Sequence, residues 1–235
     1  MYQLFLTPEW FNGWDLVFDS ISLIIALLIA GYSWKIHQMS SENKYAYFSL
    51  AFVLISLGFA LKLFTYGILY FGNIREAVAG VLRPIAGQGL EYADLFYRAG
   101  FFLQMVFMLG GWLLIFFVSQ KSRERLNKFY EVSQIVLFIY LILLISVISN
   151  FKYAIFYLTS MVILGMVVLN YYKNYLNTEN SNAYLVMNSF LLILISQFCF
   201  VFVFLWENLY IFGEVFLLIG FLTLLYTYRR VTKLK

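Results

Sequence analysis

The sequence predicts an all-α, polytopic membrane helix bundle of about seven transmembrane helices, with the N-terminus outside and the C-terminus inside. Three observations predict it. Apolar residues make up 63% of the chain and charged residues 12%, where a soluble domain has about 45–50% and 25%, and the mean hydropathy is +0.83. Apolar runs long enough to cross a bilayer, which needs roughly 20 residues each, recur along all 235 residues and consume most of them. The basic residues lie mostly on one side of those runs. Sheets are excluded, because the runs are too long for barrel strands and a span must satisfy its own backbone in lipid. One transmembrane domain, 1–235, is expected.

The spans are placed in order at about 14–36, 45–71, 95–118, 130–149, 153–172, 184–206 and 210–228. The first run carries Glu9, Asp15 and Asp19 rather than a basic leader and continues too long for a signal peptide, so it is read as a retained helix. A short polar loop with His37, Glu42 and Lys44 follows it, and an Asn-rich loop is expected at 173–183. Segment 74–82 places Ile74, Val78, Val81 and Leu82 on one side of a helical wheel, with Arg75 and Glu76 off that stripe. It reads as an outer amphipathic helix, with an irregular loop as the alternative. Both prolines, Pro8 and Pro84, fall outside the spans, so no proline kinks are expected.

Charge sets the orientation. With the N-terminus outside, the inner segments hold Lys35, Lys44, Lys121, Arg123, Arg125, Lys128, Lys173, Arg229, Arg230, Lys233 and Lys235, and the outer ones only Arg75, Arg83, Arg98 and Lys152. That is the positive-inside bias. The net charge of +4 is therefore an orientation signal with some attraction to anionic headgroups, and nucleic acid is not an expected partner. Trp10, Phe11, Trp14, Trp206 and Tyr210 read as an aromatic belt at the outer interface.

Polar residues inside the spans are few. In the first helix Asp15, Asp19, Ser22, Ala26, Ala30 and Ser33 recur at spacings of four and three and share one face. The small residues among them suit close helix packing, so this face is expected to point inward. Gly100, Gln104, Phe107 and Gly111 form a similar line in the third span. Asp15 and Asp19 read as a capping and packing feature rather than a metal site. Lys62 is the most unusual residue: it lies about nine residues, or ~13 Å, from the outer end of its helix, where a lysine costs about 2.5–3.5 kcal/mol on insertion scales. Asp19 and Glu214 are its candidate partners, and Gln104 and Gln197 fall at comparable depth. Five polar residues from five helices thus define a candidate outer-half layer: a structural ion pair, a snorkelling lysine, or a ligand site.

Exclusions are more specific. The single histidine, His37, lies in a loop, so a haem held by paired histidines is excluded. Cys199 is the single cysteine, which excludes an intrachain disulfide, a Cys-x-x-Cys mechanism and a Cys/His zinc cluster. There is no nucleophile-elbow serine motif and no phosphate-binding loop. No cofactor, metal or catalytic residue is expected, and an enzyme ranks last.

Seven spans in this orientation resemble the layout of rhodopsins and G-protein-coupled receptors, in topology alone. The retinal lysine of microbial rhodopsins belongs to the seventh helix; here 210–228 has no lysine, and Glu214 is its only charge before Arg229. The receptor signatures are missing too: the third span ends Val118-Ser119-Gln120, and the seventh has no proline. Small sugar transporters of the PQ-loop class share the layout, but their Pro-Gln elements are absent. The stretch 214–229 and the loop 173–182 resemble those of small, uncharacterised seven-helix membrane proteins of archaea, a likeness that implies no function.

Three classes remain. A receptor- or sensor-like protein of the cell membrane would bind a small-molecule ligand from the outer side in a polar outer-half cavity and signal through a protein partner on the inner side. A transporter or channel subunit needs a path to both faces, against which the apolar inner halves of spans four to seven count. A structural or assembly subunit would bury no cavity and present a lateral interface through the Phe-rich spans four and six.

Overall fold

The computed structural model describes residues 8–11, 13–70, 92–120 and 153–233. Over them the chain is helical: a 3₁₀ turn, Glu9–Phe11, then α1 (Trp14–Ser40), α2 (Asn43–Tyr70), α3 (Tyr92–Gln120), α4 (Tyr153–Thr178), α5 (Ser181–Val201) and α6 (Leu209–Lys233). All six helices are long and apolar enough to cross a membrane, so the chain is a multi-pass membrane protein. The expected span 130–149, the amphipathic segment 74–82 and the basic loop 121–128 lie outside the described residues.

Helix ends differ from the hydropathy reading for a simple reason. Hydropathy ends a span where the apolar run ends, but backbone hydrogen bonding continues into polar sequence. So α4 extends to Thr178 rather than stopping at 172, and its 26 residues span about 39 Å, longer than the ~30 Å hydrocarbon core. The loop expected at 173–183 shrinks to Glu179 and Asn180, where Glu179 is left-handed (φ 49°) and the Asn180 side chain caps α5 by accepting from the Asn182 amide at 2.9 Å. The loop after α1 shrinks likewise to Ser41 and Glu42; Ser41 is left-handed (φ 56°), and its amide donates to the His37 carbonyl at 2.8 Å. The opposite correction applies to α5, which stops at Val201 rather than 206. The chain there tightens to three-residue turns, with Phe202 donating to the Cys199 carbonyl and Leu205 to that of Phe202.

The helices close into a ring in which α1 neighbours α2 and α6, α2 neighbours α3, and α4 packs between α3 and α5. Two hydroxyl bonds set the α1–α2 register: Ser33 donates to the Tyr45 carbonyl at 2.9 Å and Ser49 to that of Ala30 at 2.8 Å. The whole small-residue stripe of α1, from Asp15 to Ser33, is buried. Against α2, Gly111 brings α3 so close that a Cβ there would stand 2.9 Å from the Ala51 carbonyl oxygen.

Aromatic residues fill the centre of the ring. Phe221 meets Phe52, Phe59 and Trp112 at centroid distances of 6.0, 5.9 and 6.4 Å, all four nearly inaccessible. The outside is apolar as well. Ile155, Leu158, Val162, Met166, Leu169 and Leu176 form an exposed stripe along α4, a surface that suits lipid and not water.

Candidate functional site

The bundle has two distinct ends. The near end holds the starts of α1 and α6 and the last turns of α2; the far end holds the Ser41–Glu42 and Glu179–Asn180 turns. The charged cluster lies toward the near end.

Lys62 projects from α2 into the ring, and its side chain is 5% exposed. Its ammonium donates to Asp19 Oδ1 on α1 at 2.9 Å and to Glu214 Oε1 on α6 at 3.2 Å. It also reaches the Tyr210 hydroxyl at 3.5 Å and stands 5.6 Å from the centre of the Tyr66 ring. Asp19 and Glu214 are buried completely or nearly so, and the second oxygen of each, Oδ2 and Oε2, is buried without a hydrogen-bond partner. Local spacing explains the supporting residues. Tyr210 precedes Glu214 by four positions and Tyr66 follows Lys62 by four, so each tyrosine shares its charged neighbour's face.

Asp15, one turn before Asp19, has a different task. Its Oδ1 accepts from the Gly13 and Leu16 amides, both at 2.9 Å, and so caps the start of α1. Gln104 and Gln197 are buried, but the Gln197 amide donates to Ser196 Oγ at 3.1 Å, and neither glutamine is hydrogen-bonded to the charged three among the described residues. Gln104 instead lies beside Gly58, one turn of α2 below Lys62. Comparable depth thus does not bring α3 and α5 into the cluster, because depth leaves helix rotation open.

The cluster is closed rather than open. Above it, the 3₁₀ turn folds Phe11 inward, 4% exposed, with its ring 6.2 Å from that of Tyr210. Tyr210 also packs on Phe200, which stacks on Tyr157 at 4.8 Å. Of the residues read as an interfacial belt, Trp10 and Trp14 are exposed, whereas Phe11 and Tyr210 are core. Below the cluster lies the aromatic layer around Phe221, about 10 Å or two turns beyond Glu214. No sequence signal distinguished Phe11 from its exposed neighbour; the four-residue spacing to Glu214 was the signal for Tyr210.

Among the described residues, a cavity of about 270 Å³ opens at the far end. Polar groups from Lys44, Asn174, Asn180 and Asn182 meet the apolar and aromatic side chains of Ile36, Phe48, Val186 and Tyr228 there. The extension of α4 beyond its apolar run builds one wall. The buried Oδ1 of Asn182 has no hydrogen-bond partner.

No family model, no curated protein and no solved structure matches this chain.

Proposed function

We propose that the chain is a receptor- or sensor-like, seven-span protein of the cell membrane, with the near end outside and the far end inside. The charged cluster is its input element, reached by a small-molecule ligand from the outer side, and a protein partner reads the inner end. The observation that carries this reading is Lys62 held between Asp19 and Glu214, which ties α1, α2 and α6 through one ammonium. Removing one partner from a buried charge pair costs about 3–5 kcal/mol, so a ligand that competes for one carboxylate shifts the packing of three helices together. An ionisable group inside a membrane segment is costly and rare, which supports a functional reading of this one. The aromatic layer around Phe221 separates the cluster from the far-end cavity, which favours a sensor over a transporter.

The seventh span belongs to the same proposal. Ser119, one residue before the end of α3, lines the far-end cavity, while Tyr157, near the start of α4, packs at the near end. The two described ends that flank 121–152 thus lie at opposite ends of the bundle, which supports a further crossing, and the sequence of 130–149 is apolar enough and long enough for one.

Native mass spectrometry of the protein taken gently from its own membrane tests the reading. A small molecule that co-purifies with wild type and is lost from both Lys62→Arg and Glu214→Gln is expected. A stoichiometric protein partner with no small molecule would replace the sensor with an assembly subunit.

A further inference from the structure

Among the described residues, the charges of the cluster do not balance. One ammonium, Lys62, faces two carboxylates, Asp19 and Glu214, and each carboxylate keeps one buried oxygen with no hydrogen-bond partner. Among the described residues, the other titratable groups that face them are the carboxyl group of Asp15 on α1 and the phenols of Tyr66 on α2, Tyr157 on α4 and Tyr210 on α6. Unperturbed phenols are neutral near pH 7. Gln104 on α3 and Gln197 on α5 lie buried at comparable depth, do not titrate and are not hydrogen-bonded to the cluster among the described residues. Among these side chains the ammonium of Lys62 is the only cation, and in a dry bundle an uncompensated carboxylate is costly.

We propose that Asp19 and Glu214 hold one exchangeable proton between them, on Oδ2 or Oε2, which completes the charge of the Lys62 cluster. The proton comes from water on the near side and returns to it, with no other bond made or broken. A protonated carboxyl turns an orphaned acceptor into a donor, so the same step relieves both the excess charge and the unpartnered oxygens. A metal cation fits worse. Hard cations such as calcium take about six to eight oxygens, whereas Asp19 Oδ2, Glu214 Oε2 and the phenols named above are the oxygens at hand, and no group of three or more His, Cys, Asp or Glu side chains that could hold a metal occurs among the described residues. The role of this proton in sensing rests on the reading above; its presence rests on the charge count, so the two fail separately.

Infrared spectroscopy of the full-length protein in lipid nanodiscs at neutral pH is the test, read at the C=O stretch of a protonated carboxyl, which a carboxylate lacks. Wild type shows the band. Asp19→Asn and Glu214→Gln each lose it, because the remaining carboxylate balances the ammonium. Lys62→Met strengthens it, and Lys62→Arg, which keeps the charge and guards against a folding failure of the Met variant, retains it. A wild type without the band overturns the proposal, as does a band that survives both carboxylate variants, or one that appears only when sodium is withdrawn. Ligand capture in native mass spectrometry is unaffected by these outcomes, so a sensor without the proton and a proton without a sensor are told apart.

Discussion

Lys62 and Asp19 meet at 2.9 Å on two helices whose connecting turn, Ser41–Glu42, lies at the opposite end of the bundle. The α1–α2 hairpin is therefore pinned twice: by the turn and the Ser33 and Ser49 hydroxyl bonds at one end, and by a charge pair toward the other. Because Glu214 shares the same ammonium, the pin extends to α6. Helix association in lipid gains little from the hydrophobic effect and rests on packing and polar contacts. A single buried cation that bridges three helices is then a large share of what holds this end of the ring.

Lys62→Met is expected to destabilise the protein by about 3–5 kcal/mol, since it leaves two buried carboxylates without their cation. Adding Asp19→Asn and Glu214→Gln to that variant should recover most of the loss, because uncharged groups of similar shape need no counter-charge. Denaturation in mixed micelles measures both. Additive losses in the triple variant would mean that the three residues do not act as a unit.

How far this arrangement was legible in the sequence depends on what periodicity and hydropathy encode. The α1 stripe is legible because spacings of four and three specify a helix face whatever the neighbours are, and its six positions are all buried. A lysine deep in an apolar run marks itself, and depth along the helix narrows its acidic neighbours to Asp19 and Glu214. Depth says nothing about rotation, which is why Gln104 and Gln197 share the level without joining the charged contacts. Tyr210 was obscured by its chemistry: near a helix start, a tyrosine serves an interface and a core equally well. The 179–180 turn was hidden because the polar stretch 173–178 reads as a loop by hydropathy, although helix continues through it.

Glycines at helix contacts should separate into two groups. A Cβ at Gly111 would stand 2.9 Å from the Ala51 carbonyl oxygen, and one at Gly220 would stand 3.0 Å from that of Ser189. Backbone cannot yield as a side chain can, so Gly111→Ala and Gly220→Ala should each cost about 1–3 kcal/mol. At Gly31 and Gly165 nothing lies within 4 Å, and alanine there should be neutral or gain up to about 1 kcal/mol through helix propensity. Thermal unfolding of the four variants in one detergent decides it; equal shifts would contradict the close approach.

The two turn residues with left-handed backbones offer a stabilising change. Ser41 and Glu179 have φ of 56° and 49°, a conformation that favours glycine. Each uses its amide, not its side chain, to close the preceding helix: Ser41 on His37 at 2.8 Å and Glu179 on Tyr175 at 2.7 Å. Ser41→Gly and Glu179→Gly keep those bonds and should raise stability by up to about 1 kcal/mol, or roughly 2–4 °C in Tm for a chain of this size. A fall in Tm for both would place the turns in another conformation.

The proposed sidedness has a direct chemical test. Ser41 and Glu179 lie in the far-end turns, whereas Asn208 precedes α6 at the near end. With native Cys199 replaced by serine, a cysteine at Asn208 should react with an impermeant maleimide added to intact cells. Cysteines at Ser41 and Glu179 should react only after permeabilisation, since basic residues favour the inner side. Reaction of Asn208 and Ser41 from one side would break the bundle's two-ended geometry. A full reversal would keep that geometry and turn the orientation over, placing the Lys62 cluster toward the cell interior and removing the outer-ligand reading with it.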